Sequence, residues 1–228
     1  DTTVNSSPTD ISGQGNHGTL VGATYSAADK AFDFDGTNDT IYNSGIGNWS
    51  DNINHTMSFW MKTRTTSGVI GVPFAIYDTP NTQNEYSGFW GTIGNSIQFF
   101  HFNNDYTYTF DLQPNTWYHI VAVYNGSPNT QKVYANGVEL TLLSTAGSTV
   151  NAALSLGTNP KLTLGGDYGR SNYYFNGQIS NPKLYNVALE ASEVRKLYNL
   201  GRTGRSMVIS DTAVGIGKVP EAQLDVRG

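Results

Sequence analysis

Aromatic, amide and carboxylate side chains are concentrated in two polar parts of the sequence, residues 77–90 and residues 103–106 together with 167–173. Flat aromatic rings stack on the C–H face of a sugar ring, and amides and carboxylates hydrogen-bond its hydroxyl groups. These residue types therefore predict a binding site for a saccharide or a similar polar ligand. The candidate ligand-binding residues are Tyr77, Glu85, Trp90, Asn104, Asp105, Tyr106, Asp167, Tyr168, Arg170 and Tyr173.

Side chains suited to covalent or acid–base chemistry are sparse. The chain has no cysteine and no Gly-x-Ser-x-Gly motif, so neither of these nucleophile patterns is present. Its five glutamates, at positions 85, 139, 190, 193 and 221, do not form the carboxylate pair that glycoside hydrolysis requires. A lyase-like group can be drawn from Gln98, His101, Arg170 and Tyr173, but alternating strand positions explain these residues better. We predict a protein that is not an enzyme, with a polysaccharide-degrading hydrolase or lyase as an alternative.

Composition narrows the class of protein further. The 228 residues carry only 14% charged side chains and a net charge of −5, and the 13 Lys and Arg are scattered. Without a basic stripe to follow phosphates, nucleic acid is excluded as a partner. No apolar run approaches the roughly 18 to 20 residues of a membrane span, so membrane insertion is excluded as well. The 25 glycines and 14 tyrosines suit many short strands joined by turns.

The elements that must position the candidate residues are strands. Residues 56–62 alternate, so that Met57, Phe59 and Met61 face one way and Trp60 the other. Residues 116–124 are apolar on both faces, which predicts a central, buried strand. Asn-Gly at 136–137 predicts a tight hairpin.

Two further hairpins are predicted, one over residues 31–42 and one over residues 96–110 with its turn at 103–105. A single helix is predicted at about 190–199, with Gly201 as the residue that follows its end. Evenly spaced strands with one late helix indicate an all-β, antiparallel sandwich. We assign residues 1–202 to this domain and residues 203–228 to a linker and an appendage.

Several sequence pieces resemble the laminin-G-like family of the concanavalin-A-like lectin/glucanase superfamily, in order, over about 190 residues. They are Asp10-x-Ser-Gly-x-Gly-Asn-x-Gly18, Phe34-Asp-Gly-x-x-Asp39, Ser58-Phe-Trp-Met-Lys62, Trp117-Tyr-His-Ile-Val121, Val133-Tyr-x-Asn-Gly137, Leu164-Gly-Gly166, Phe175-x-Gly-x-Ile179 and Leu184-Tyr-Asn-x-Ala-Leu189. The resemblance implies an antiparallel jelly-roll β-sandwich. Members that hydrolyse glucans carry a Glu-x-Asp-x-x-Glu strand, which this sequence lacks.

The same resemblance implies a Ca²⁺ site that joins the N-terminal loop to a late strand. In this sequence the ligands would be Asp10, the backbone near Asn16, and Asn181. The family usually has an acidic pair where this chain has Ser180 and Asn181, which lowers the negative charge of the site. The alternative is that Asp10 simply closes a turn with nearby amides.

The last residues resemble a different group of proteins. Val214-Gly-Ile-Gly217 followed by Leu224-Asp-Val-x-Gly228 is similar to segments of phage tail fibres and of giant-virus or bacterial surface proteins. This implies a location on a virion or at the cell surface and a homo-oligomer, such as a trimer, formed through flanking segments. The resulting hypothesis is an attachment module for a cell-surface glycan or glycoprotein, with weak single sites reinforced by avidity. The alternative is a structural decoration or spacer domain with protein partners only.

Overall fold

The computed structural model describes residues 8–47, 49–79, 82–102, 104–126, 128, 130–147, 152–166 and 173–202, and three short strands between 207 and 226. In chain order the elements are β1 (Thr19–Val21), β2 (Thr24–Ser26), β3 (Ala31–Asp35), β4 (Thr40–Asn43), β5 (His55–Thr63), β6 (Phe74–Tyr77), β7 (Tyr86–Thr92), β8 (Ser96–Phe100), β9 (Asn104–Thr109), β10 (Tyr118–Asn125), β11 (Thr130–Ala135), β12 (Val138–Glu139), β13 (Leu142–Gly147), β14 (Lys161–Leu164), β15 (Asn176–Tyr185), α1 (Ala191–Arg202), β16 (Met207–Ile209), β17 (Val214–Ile216) and β18 (Leu224–Val226).

Two antiparallel sheets form a sandwich, as predicted. The first sheet has the order β1-β4-β14-β6-β7-β8-β9-β13, and the second has the order β12-β11-β10-β5-β15-β3-β2. Phe59 of β5 contacts Phe74 and Phe89 of the first sheet, with ring centroids 5.6 and 5.2 Å apart, so the main core lies between the sheets. Each phenylalanine buried there contributes about 1.5–3 kcal/mol of hydrophobic stabilisation. The all-β jelly-roll prediction is confirmed.

Strand β10 is the central strand that its sequence predicted. It pairs with β5 on one side and β11 on the other, and its residues 118–124 are buried. The hairpin at 136–137 is also confirmed, because Ala135 pairs with Val138 and both turn residues have positive φ, 51° and 77°. β8 and β9 form the hairpin predicted over residues 96–110.

The hairpin predicted over residues 31–42 is wrong. β3 pairs with β2 and β15 in the second sheet, whereas β4 pairs with β1 and β14 in the first. The connection at 36–39 therefore crosses between sheets. The carboxylate of Asp39 accepts a hydrogen bond from the backbone N–H of Asp35 at 2.9 Å, which closes this crossing locally. A hairpin turn and a connection between two sheets use the same turn residues, so the sequence alone could not distinguish them.

Helix α1 packs on the outer face of the second sheet. Val194 is fully buried there against Val121, Val123 and Tyr134. The carboxylate of Glu193 accepts a hydrogen bond from the backbone N–H of Glu190 at 2.8 Å, a capping arrangement at the helix start.

The end of α1 differs from its prediction. The helix continues through Gly201 to Arg202, so Gly201 is not the residue after its end. A Cβ on Gly201 would lie 2.7 Å from Cε2 of the Trp60 ring, so glycine is required there by close packing rather than by a left-handed cap.

Three short strands follow the helix. β16 pairs with β17 in antiparallel orientation, and β17 pairs with β18 in parallel orientation, which gives a separate three-stranded sheet. In the described part of the chain, no helix is long and apolar enough to cross a membrane.

Candidate functional site

An aromatic strip runs across the outer face of the first sheet. We define it as Tyr77, Tyr86, Phe100, Trp90 and Tyr173. On β7, Tyr86 and Trp90 point outward while Phe89 lies in the main core, as the two-residue period of a strand requires. β6 contributes Tyr77 and β8 contributes Phe100 to the same outer cluster.

The rings of the strip form a continuous series of contacts. Tyr77 stacks on Tyr86 at 5.5 Å, and Tyr86 stacks on Phe100 at 5.0 Å. Trp90 then contacts Phe100 at 6.1 Å and Tyr173 at 5.6 Å. Centroid separations of about 4.5–7 Å are those at which aromatic pairs attract each other. The strip is therefore a rigid surface rather than a set of independent side chains.

Gly88 provides the floor of the strip. It lies between Tyr86 and Trp90 on the same face of β7, and a Cβ there would lie 2.8 Å from Cβ of Ala75 and 3.0 Å from Cζ of Phe100. Only a glycine lets the Phe100 ring lie directly against the sheet. The sequence Tyr-x-Gly-x-Trp thus places two outward rings on either side of a space that a third ring fills.

The two ends of the strip differ in exposure. Tyr77 and Tyr86 are each 1% exposed, whereas Trp90, Tyr173 and the neighbouring Phe102 are half-buried. Among the described residues of the strip, those at the Trp90–Tyr173 end therefore offer a ligand the most exposed ring surface.

Polar side chains lie beside this open end. Strand pairing places Gln98 next to Trp90, and Gln98 donates a hydrogen bond to the Thr107 hydroxyl at 3.1 Å. Asp105 is paired with Phe100 and is half-buried. An apolar ring surface with amide, hydroxyl and carboxylate groups alongside is the arrangement that saccharide recognition uses.

The predicted residues are divided by the structure. Four candidates lie at or near the surface: Trp90, Tyr173, Asp105 and Glu85. Three are buried: Tyr77, Asn104 and Tyr106. Tyr77 is buried at the closed end of the strip. Asp167, Tyr168 and Arg170 lie outside the described residues.

Asn104 and Tyr106 also differ from their prediction. The turn was expected at 103–105 and the next strand at Tyr106, but β9 already begins at Asn104. Tyr106 therefore points into the main core, 5% exposed, and the amide of Asn104, 1% exposed, donates to the Asn84 side chain. The alternation of the strand leaves Asp105 and Thr107 on the outer face instead.

Phe100 was missed as a site residue, and Tyr86 was recognised within the polar segment 77–90 but was not among the final candidates. Phe99 and Phe100 are adjacent, and sequence alone does not say which one faces the core. The register between β7 and β8, which pairs Phe100 with Gly88, decides it.

Asp10 makes the contacts of a turn. Its carboxylate accepts hydrogen bonds from the backbone and hydroxyl of Ser12 at 2.8 and 2.9 Å and from the backbone of Asn16 at 2.9 Å. Hydrogen bonds from Ser12 are the main reason that the pKa of Asp10 is lowered. Asn181 lies elsewhere, in β15, beside Trp60 and Lys30. Among the described residues no group of three or more His, Asp or Glu side chains could hold a metal ion, and Ca²⁺ binding stays a prediction.

Comparison with known proteins identifies the architecture. Residues 35–195 match a family model of laminin G domains described as Concanavalin A-like lectin/glucanases superfamily. No curated protein sequence gives a significant match.

Solved structures with the same fold share little sequence with the chain. The native heptameric SAP-like pentraxin from Limulus polyphemus is 16% identical, with a TM-score of 0.55 over 73% of this chain and 80% of that one. Domain 4 of AbnA, an extracellular arabinanase from Geobacillus stearothermophilus solved with arabinotriose, is 20% identical, with a TM-score of 0.54 over 84% and 86%. Trypanosoma rangeli sialidase in complex with sialic acid is 16% identical, with a TM-score of 0.61 over 86% of this chain but only 32% of the sialidase.

Proposed function

The chain belongs to the laminin-G-like family of the concanavalin A-like lectin/glucanases superfamily, and from this premise we propose that it is a non-catalytic carbohydrate-binding module. The observation that carries the proposal is the open end of the aromatic strip. There the half-buried rings of Trp90 and Tyr173 contact each other, Gln98 is paired with Trp90, and Asp105 is paired with the neighbouring Phe100. A sugar ring would stack on Trp90 while its hydroxyl groups bond to these polar groups.

Two of the structural neighbours support this choice of ligand class. The arabinanase domain, 86% of which is covered, was solved with arabinotriose, and the sialidase, of which 32% is covered, was solved with sialic acid. Fold likeness alone does not carry function, and the proposal therefore rests on the strip itself.

The test is a glycan array with the whole chain, followed by titration of the best glycan against Trp90→Ala. We expect the substitution to weaken binding by about tenfold, because one stacking ring contributes up to about 1.5 kcal/mol beyond the apolar area that it buries. The matched control is Tyr25→Ala, which removes another half-buried aromatic ring, from β2 of the second sheet. Equal loss in both variants, or unchanged affinity in Trp90→Ala, would contradict the assignment of the site.

The absence of catalysis is part of the proposal. Two carboxylates near turns already have structural partners. Asp35 accepts a hydrogen bond from the backbone N–H of Thr37 at 2.7 Å, and Asp33 forms a bidentate ion pair with Arg64 at 2.8 and 3.0 Å. Incubating the best array glycan with the chain should release no new reducing ends and no unsaturated product. Either product would instead favour the hydrolase or lyase alternative.

The setting that we propose is a fibre or spike at a virion or cell surface, with the chain acting in attachment. The support is the tail sequence around residues 214–217 and 224–228 described above. Oligomerisation would convert weak single sites into avid binding. Light scattering on the whole chain should give a mass of two or more copies, and a monomeric mass would count against this setting.

A further inference from the structure

A second aromatic site lies on the opposite side of the sandwich, between the second sheet and the last turn of α1. Trp60 of β5 stacks on Tyr198 of α1 at 5.8 Å, and Trp117 lies beside them. Together these rings line a cleft of about 470 Å³. Sites for small ligands commonly have volumes of roughly 300–1,000 Å³, so a di- or trisaccharide would fit.

The rings of this cleft are fixed from behind by His119. Its imidazole contacts Trp60 at 5.2 Å and Tyr198 at 6.1 Å, and its Nε2 is 3.0 Å from the Ser58 hydroxyl. Burial lowers the pKa of His119 to about 4, so the ring is neutral near pH 7 and adds no charge to the cleft. Gly201 holds the backbone of α1 against Trp60. The aromatic wall is thus formed before any ligand binds.

The rim of the cleft is cationic. Lys30 and Arg202 both line it and are both exposed, and neither forms a salt bridge within the part of the chain that the structure describes. Lys62 does not line the cleft itself, but its Nζ lies 5.1 Å from the centroid of the Trp117 ring. Asp29 also lines the cleft, and hydrogen bonds from Gln178 and Ser26 at 2.8 and 2.9 Å lower the pKa of its carboxyl group and keep it ionised, so it offsets one positive charge. In a chain of net charge −5, this is a local site for an anion.

We propose that this cleft is a second binding site, specific for a saccharide that carries a carboxylate, of the hexuronic acid class. The sugar ring would lie against Trp60 and Trp117, and the carboxylate would lie between Lys30 and Arg202. The exposed amide of Asn181 would bond to a hydroxyl group. This site is separate from the aromatic strip and does not depend on the function proposed for it. A domain with both sites would hold two saccharides on opposite faces.

The four tryptophans allow both sites to be observed in one experiment. Trp60 and Trp117 report on the cleft, Trp90 reports on the strip, and Trp49, 8% exposed in the core, is an internal reference. The whole chain is labelled with 5-fluorotryptophan, and the ¹⁹F resonances are assigned with single Trp→Phe variants. The chain is then titrated with trigalacturonate and, separately, with the neutral sugar galactotriose.

We expect trigalacturonate to shift the Trp60 and Trp117 resonances and galactotriose to leave them unchanged. The double variant Lys30→Gln/Arg202→Gln should weaken this response by about tenfold or more, because it removes both charges that would pair with the carboxylate. The matched control Arg195→Gln/Lys196→Gln removes two exposed charges from α1 outside the cleft and should respond like the parent chain.

Three results would overturn the proposal: no shift of Trp60 or Trp117 with trigalacturonate, an equal shift with galactotriose, or an unchanged response in Lys30→Gln/Arg202→Gln. The Trp90 resonance keeps the two sites distinguishable. A shift of Trp90 alone would support the strip and reject the cleft, and a shift of Trp60 and Trp117 alone would support the cleft and leave the strip to the array glycan.

Discussion

At the scale of single residues, Gly201 shows how one amino acid can be explained in two ways. Its position near the end of a helical pattern suggested a C-terminal cap. In the structure it is helical, and its lack of a side chain makes room for the Trp60 ring. The contact partner is about 140 residues away in sequence, so local pattern could not identify it.

Gly201→Ala therefore gives a prediction whose sign depends on the reason for the glycine. Alanine normally stabilises a helix interior by about 1 kcal/mol relative to glycine. Here we expect a loss of about 1–3 kcal/mol in the free energy of unfolding, because the new methyl group would overlap the indole of Trp60. Urea unfolding measures it, with the exposed Ser192→Ala on the same helix as the neutral control. If Gly201→Ala were more stable than the parent chain, close packing against Trp60 would not be the reason for the glycine.

At the scale of elements, sequence predicted the strands better than their partners. Alternation correctly assigned Met57, Phe59 and Met61 to the core and Trp60 to the opposite face, because side-chain direction is a local property of a strand. The segment 36–39 was assigned to a hairpin and instead crosses between sheets, because pairing depends on the rest of the fold.

Only part of the candidate site was predicted, because strand register, like strand pairing, depends on the rest of the fold. Trp90 and Tyr173 were identified by residue type, but the burial of Tyr77, Asn104 and Tyr106 depends on strand register. The strand was predicted to begin at Tyr106 but begins two residues earlier, at Asn104, and Tyr106 lies inside it with its ring in the core. Residue type therefore indicated the chemistry, and register decided which residues are available for it.

β7 offers a test of the aromatic strip as a unit. Gly88→Val would raise strand propensity, yet its side chain would displace the Phe100 ring and the rings that contact it. We expect a loss of about 1–3 kcal/mol in the free energy of unfolding and weaker glycan binding at Trp90. Thr92→Val, on the same strand and beyond the strip, is the control and should preserve both properties. Glycan affinity unchanged in Gly88→Val would mean that Trp90 binds without support from the strip.

At the scale of the whole molecule, three buried histidines make the sandwich sensitive to acid. His55 and His101 lie on either side of the Tyr124 ring between the sheets, at 5.1 and 5.3 Å from it. Burial lowers the pKa of His55 to about 4 and that of His101 to about 3, and it lowers the pKa of His119 to about 4. Nε2 of His101 has no hydrogen-bond partner among the described residues, so a proton there would be especially costly.

The expected consequence is a loss of stability that begins as the pH falls below about 6.5. Above that pH these histidines are neutral in both states; below it the unfolded chain binds protons that the folded chain does not, and the free energy of unfolding falls as the pH approaches 4. Three such groups give a limiting slope of about 4 kcal/mol per pH unit. Urea unfolding between pH 7.5 and 4.5 measures this slope. His101→Phe should reduce the slope by about a third, because the ring is packed among Phe99, Tyr106 and Tyr124 and phenylalanine does not titrate. The control His17→Gln removes an exposed histidine and should preserve most of the slope. Equal slopes in the parent and His101→Phe chains would contradict the prediction, because they would show that His101 takes up its proton in the folded state.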